Sequence, residues 1–230
     1  MGRARQRPSP PRAPCAENHW HNGVMRSSME DSPAAESDTW GRISATGEQF
    51  RFVSCDEDLV RIDWRLPPGE GSPDHVHRHQ VERVTAISGA LTISWAGGRV
   101  VVAPGHSHSV PAGRVHSFEN VGRESAHMVV DFIPALQTKR FFETLAGLGD
   151  HHRLTSRGTP RDPLILASFA WRFRREFQVT QPPIWIQRLL LPPLAALARR
   201  LGRTAGAASD AMPRMEDAQA DGLVRSATPI

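Results

Sequence analysis

The stretch Asp74-His75-Val76-His77-Arg78-His79-Gln80-Val81-Glu82 sets three histidines on alternate positions and closes on a glutamate. Along a strand, residues i and i+2 face the same side, so His75 and His77 present two imidazoles to one point. Glu82 lies beyond a reversal of the chain and returns from the neighbouring strand. His116 follows 34 residues later, behind the turn Pro111-Ala112-Gly113. Three neutral nitrogens and one carboxylate make a hard-to-borderline ligand set. It suits one divalent transition metal (Fe, Mn, Ni, Co, Cu or Zn) at roughly 2.0–2.2 Å. Such a set leaves coordination positions for water, dioxygen or a chelating substrate.

His79 shares the parity of His75 and His77 but falls in the turn between strands, where exposure is expected. His106 and His108 bracket Ser107 on an outer loop, and His151-His152 follows Gly149-Asp150 in a loop. Neither pair has a carboxylate or third histidine at ligand spacing, so both are expected at the surface, whereas the alternative for His79 is an inward fifth ligand or proton shuttle.

Outward from the histidines the chain reads as short strands. Phe50 to Val53 forms the first, and in the next Val60, Ile62, Trp64 and Leu66 alternate with Arg61, Asp63 and Arg65. Ala90 to Trp95 and Arg99 to Ala103 flank Ala96-Gly97-Gly98, a hairpin signal. Ser107 to Val110, Val115 to Glu119 and Ala126 to Phe132 complete the set. Many short strands between turn signals define an all-β barrel or sandwich, and the absence of an internal repeat makes it a single barrel.

Two blocks of the sequence can then be read together. In the first, Gly69, His75, His77, Glu82 and Gly89 stand at fixed offsets; in the second, Gly105, Pro111, Gly113, His116 and Asn120 do so. This pattern resembles the two signature motifs of the cupin superfamily at all ten positions. The fifteen residues between the blocks resemble the short hairpin of compact single-domain cupins. The resemblance implies an all-β cupin (double-stranded β-helix, jelly-roll) barrel with His75, His77, Glu82 and His116 as metal ligands and a structural role for Asn120. Gly89, Gly105 and Gly113 supply tight turns.

After Pro134 the texture turns helical. Gln137 to Leu148 carries Phe141, Phe142, Leu145 and Leu148 at helix spacing. Asp162-Pro163 reads as an N-cap followed by proline, opening a helix to Phe177 whose stripe is Leu166, Phe169, Ala170, Phe173 and Phe177. A third helical piece, Trp185 to Leu201, is expected to break at Pro192-Pro193. This extension is similar to the tail of a subgroup of bacterial cupins of unassigned activity. The resulting division is a disordered head (1–45), a cupin barrel (46–135), a helical extension (136–203) and a disordered tail (204–230).

Composition excludes several classes. With 39% hydrophobic and 23% charged residues the 230-residue chain suits a soluble globular domain with appendages. Cys15 and Cys55 are too few for a disulfide framework or a thiolate metal site, so a cytoplasmic setting is the expectation. The net charge of +4 is mostly arginine, without aromatic residues interleaved for nucleic-acid stacking. No nucleic-acid partner is expected. Neither the basic N-terminus nor the run Leu189 to Ala198 provides a signal peptide or a membrane span. Glu176 beside the arginines and the Pro-Pro break argue against membrane contact. Barrels of this kind pair through edge strands, which suggests a homodimer.

These readings converge on a metal-dependent, oxygenase-like oxidoreductase acting on a small organic molecule. Glu82 is the candidate general base, and Trp64, Trp95 and Phe118 are candidates for a dry wall. The alternatives are an isomerase or cyclase using the same ligands, and a non-catalytic metal or small-molecule binding module.

Overall fold

The computed structural model describes residues 40–205. The arginine-rich head up to residue 39 and the tail from residue 206 lie outside the described residues, and so do the expectations of disorder placed there.

Among the described residues, eleven strands and three helices follow one another. They are β1 (Gly41–Ile43), β2 (Glu48–Cys55), β3 (Val60–Leu66), β4 (His75–Val76), β5 (Val81–Ser88), β6 (Leu91–Trp95), β7 (Gly98–Val102), β8 (Ser107–Val110), β9 (Ser117–Glu119), β10 (Ala126–Ile133), α1 (Thr138–Asp150), α2 (Pro163–Arg172), β11 (Gln178–Val179) and α3 (Ile184–Arg200). Six strands form one sheet in the order β1-β2-β3-β10-β5-β8, and three form a second in the order β7-β6-β9. All neighbours pair antiparallel. The architecture is therefore a jelly-roll barrel with a helical extension, mixed rather than purely all-β.

Alternation explains the core. Val60, Ile62, Trp64 and Leu66 of β3 are buried, as are Glu82, Val84 and Ala86 of β5, and they meet Leu91, Ile93 and Phe118 of the smaller sheet. On the outer face of β3, Asp63 is also buried, where Arg51 at 2.9 Å and His127 at 2.5 Å satisfy its carboxylate. Arg61 and Asp131 form a two-pronged pair beside it. Strand pairing begins earlier than the composition predicts. Gly41–Ile43 pairs with β2 although it lies within the span read as an unstructured head.

The helices close one end of the barrel. Phe142 of α1 packs against Phe50 at 5.4 Å and Trp64 at 5.0 Å between ring centroids. Phe141 meets Phe169, Phe173 and Phe177 at 5.2 to 5.6 Å and ties α1 to α2 and to the turn after it. Each such ring contributes roughly 2 kcal/mol through burial. Asp162 caps α2 by accepting from the backbone N–H of Leu164 and Ile165. The helix stops at Arg172 rather than Phe177, because the chain turns at Phe173 to feed β11.

Three further expectations are corrected. The α3 helix runs unbroken through Pro192 and Pro193. Proline's fixed φ suits a helix, and the carbonyls it leaves without donors belong to Arg188 and Leu189, which are exposed to water. Trp95 does not wall the barrel; it stacks on His108 at 5.6 Å, and the Arg114 guanidinium lies 5.6 Å from its ring centre. Cys55 is not a free thiol, so the cysteine count does not argue for a reducing compartment. Among the described residues, no helix is long and apolar enough to cross a membrane.

Gly71 marks a close crossing. It bridges to Glu119, and a Cβ there would stand 2.1 Å from the Phe118 carbonyl oxygen. Gly71→Ala is expected to destabilise the fold by about 1–3 kcal/mol, read as a lower urea midpoint at unchanged slope. An unchanged midpoint would mean the crossing yields freely.

Candidate metal centre

The backbone brings His75 and His116 directly opposite one another. Each donates its N–H to the other's carbonyl at 2.9 Å, as a hydrogen-bonded antiparallel pair whose side chains share a face. His77 follows just past β4, and its carbonyl accepts from Gly113, whose φ of 81° few other residues adopt. Glu82 sits on β5 on the inward parity of Val84 and Ala86. One ligand atom from each of His75, His77, Glu82 and His116 lies within 4.8 Å of all the others, and all four residues are buried. The expected ligand set is thus assembled in one place.

Each imidazole is oriented by a carbonyl. Nδ1 of His75 faces Pro73 O at 2.8 Å, Nδ1 of His116 faces Arg114 O at 3.0 Å, and Nδ1 of His77 faces Glu176 O. A carbonyl only accepts, so Nδ1 carries a proton, and in the neutral imidazole Nε2 then offers a lone pair. These Nε2 atoms point at each other and at Glu82. The separation is 3.1 Å between His75 and His77, 2.7 Å from His116 to Glu82 Oε2, and 3.3 Å from His77 to the same oxygen. Lone pairs this close repel unless a metal ion or a shared proton lies among them. Two ligands at right angles on a 2.1 Å bond stand about 3.0 Å apart, and these three separations are of that size. The carbonyl bonds are the outer support that metal-binding histidines need.

Titration follows the same geometry. Burial, followed by the neighbouring His77, holds His75 down near 3, so it remains a neutral donor. Burial alone would raise Glu82, but bonds from His116 and His77 outweigh it and hold the carboxyl well below its usual range. Burial likewise opposes a charge on His116, and the bond to Glu82 more than offsets it, raising the imidazole.

A cavity of about 190 Å³ opens onto His75, His77 and Glu82. Trp64 and Phe118 line it as expected, joined by phenylalanines of α1, α2 and the 173–177 turn. His79 and His106 are exposed, His108 is half-buried under Trp95 and His151 is half-buried, so none joins the centre. Asn120 has the structural role expected. Its amide donates to Leu66 O and Glu124 O at 2.8 Å and accepts from Gly122 N–H.

Several site residues escaped the sequence reading. The segment Glu176 to Val179 straps the centre: β11 pairs with β4, Phe177 stacks on His75 at 4.4 Å, and Gln178 accepts from Arg78 at 2.5 Å. Glu48 is the second omission. It is 7% exposed, lines the same cavity and accepts from Trp64 Nε1 at 3.1 Å. The available signal was parity, since Glu48 shares the inward face of β2 with Phe50 two residues on. Burial lifts its carboxyl to about 7, against the pull of hydrogen bonds from Thr46 and Trp64.

This architecture and this centre define a cupin-type barrel with a three-histidine, one-glutamate site. Residues 62–132 match the family model described as a cupin domain (Cupin_2). No curated protein matches the chain. Similar solved structures include TT1209 from Thermus thermophilus, at 25% identity over 37% of this chain and 81% of that one, with a TM-score of 0.35. An RmlC-like cupin from Shewanella frigidimarina NCIMB 400 is 19% identical over 48% of this chain and 96% of that one, with a TM-score of 0.41. The polyketide cyclase RemF from Streptomyces resistomycificus is 17% identical over 45% and 80%, with a TM-score of 0.39.

Two outcomes are expected. Elemental analysis of the dialysed protein should find about one transition metal per chain, lost in the His75→Ala/His77→Ala double variant while the fold persists by circular dichroism. For Glu48 the folded carboxyl holds its proton above its ordinary 4.5, while the unfolded one releases it. Stability therefore falls as pH rises from about 4.5 to about 7 and stays lower beyond, by on the order of 3 kcal/mol. Glu48→Gln removes this titration, so the difference in Tm should widen in its favour between about pH 5 and pH 8. A pH-independent difference would acquit Glu48.

Proposed function

We propose that the chain is a mononuclear metal-dependent enzyme whose cavity takes a small, largely apolar organic molecule, with oxygenase chemistry as the first reading. The observation that carries it is the convergence of three imidazole Nε2 atoms and one carboxylate oxygen at the wall of an aromatic-lined cavity. When bound, a divalent transition metal supplies Lewis acidity and, for a redox-active ion, electron exchange with dioxygen. Everything else falls to the chain. The phenyl and indole rings exclude water and strengthen every polar contact within. His75, kept neutral, and Glu82, kept ionised, suit the roles of ligands. Glu82 accepts a substrate proton only when released from the centre, because its partners lower its basicity.

Glu48 favours a second reading. A carboxyl near neutrality on the same cavity wall can give or take a proton at physiological pH. Two proton-handling groups around one centre fit isomerisation or cyclisation as well as oxygenation.

Metal-loaded protein should be incubated with phenolic and β-dicarbonyl compounds while oxygen consumption and product are followed together. The oxygenase reading expects uptake in proportion to product, abolished in the His75→Ala/His77→Ala variant. Product formed equally without oxygen, with a pH profile altered by Glu48→Gln, would move the assignment to isomerase or cyclase. Stoichiometric metal without turnover or substrate-linked spectral change would leave a binding module.

A further inference from the structure

Gln80 and Glu176 are 1% and 3% exposed, and both line the cavity above the metal centre. The Gln80 amide nitrogen donates to Pro134 O at 2.8 Å, Ala135 O at 3.1 Å and Thr138 Oγ1 at 2.8 Å. Two of these partners are carbonyls, so the amide cannot turn over, and its oxygen is fixed away from them. Glu176 Oε1 accepts from the Gln137 N–H at 3.1 Å. The remaining oxygens, Gln80 Oε1 and Glu176 Oε2, are buried without a hydrogen-bond partner among the described residues. Buried acceptors left unmet carry a desolvation penalty, and native folds seldom retain them without a use. These two are anchored to adjacent residues, Gln137 and Thr138, at the start of α1.

We propose that Gln80 and Glu176 form an acceptor subsite that receives the hydroxyl group of a single-ring aromatic ligand. The inference rests on reading the cavity as the substrate pocket. Oxygens left without a donor favour a ligand that brings its own O–H, which can donate to one of them. Phe132, Phe141, Phe173 and Phe177 give the surrounding wall a shape and polarity suited to a flat apolar body. A cavity of about 190 Å³ is of the size that admits one substituted benzene ring. The subsite joins the two halves of the chain, since Gln80 precedes Glu82 in the barrel and Glu176 belongs to the extension. The Glu176 carbonyl also holds His77, so the side chain that receives the hydroxyl shares a residue with the support of a metal ligand.

The test uses the full-length protein, with metal content measured in every sample, and the pair phenol and anisole as probes in calorimetric titration. The two probes match in ring but differ in the donor. Phenol is expected to bind at least about ten-fold more tightly than anisole, a difference of about 1.4 kcal/mol. In Glu176→Gln the retained oxygen still accepts from Gln137 while an NH₂ group replaces the free acceptor. The preference for phenol should disappear or invert, with metal content and Tm unchanged. Equal affinity of the wild-type protein for both probes overturns the proposal, whatever the variant does. Tighter binding of benzylamine than phenol overturns the hydroxyl assignment. Treatment with EDTA separates the two readings. A phenol preference that vanishes with the metal assigns the hydroxyl to the ion and overturns the subsite. A preference that persists once the metal is removed supports the subsite, and a protein that neither carries nor takes up metal removes the metal reading separately.

Discussion

The structure depends on one constraint: three imidazole nitrogens and a carboxylate oxygen crowd into a buried space where positive charge, from a metal ion or from shared protons, makes their proximity favourable. Each histidine is committed to this role by a backbone carbonyl on its far nitrogen, which leaves no tautomer in which Nε2 carries the proton without losing that bond. The barrel supplies rigidity. His75 and His116 are locked through reciprocal backbone bonds, and Glu82 rides on a strand paired on both sides. Ligands held this way cannot spread to relieve their repulsion.

The helical extension is part of the centre rather than an appendage to it. Its strap pairs with the strand bearing His75, stacks Phe177 on that imidazole and places the Glu176 carbonyl on His77. Phe141 ties the strap to α1 and α2. The same residues that close the barrel end also dry the cavity, so the packing of α1 and α2 bears on the polarity around the ligands. Glu48 shows the consequence: a carboxyl enclosed with Trp64 in this apolar wall is held near neutrality by desolvation.

Much of the barrel was legible because its signals are local. The alternation in Val60–Leu66 survives unchanged as a strand, and the ligand spacing places His75, His77, Glu82 and His116 together. The glycines of the motifs occupy left-handed conformations, as tight turns require. Where expectation failed, a tertiary effect had overridden a local rule. Pro192 and Pro193 remain in a helix, and Arg188 and Leu189, whose carbonyls lose their donors, are exposed residues. Phe177 leaves the helical stripe because β4 captures the following residues as a strand. Trp95, expected on the cavity wall, stacks with His108 and does not line the cavity.

The sequence alone determined which atoms can bind a metal. Two histidines at i and i+2, a glutamate past a turn and a histidine on a distant strand specify donors whose geometry follows from strand parity and turn position. Only the tertiary structure decided what surrounds them. The carbonyl that fixes His77 comes from 99 residues away, and the acceptors Gln80 and Glu176 lose their water only when the helical extension packs against the barrel. Burial and long-range contact are properties of the folded chain, and those two properties set the support, the polarity and the selectivity of the site.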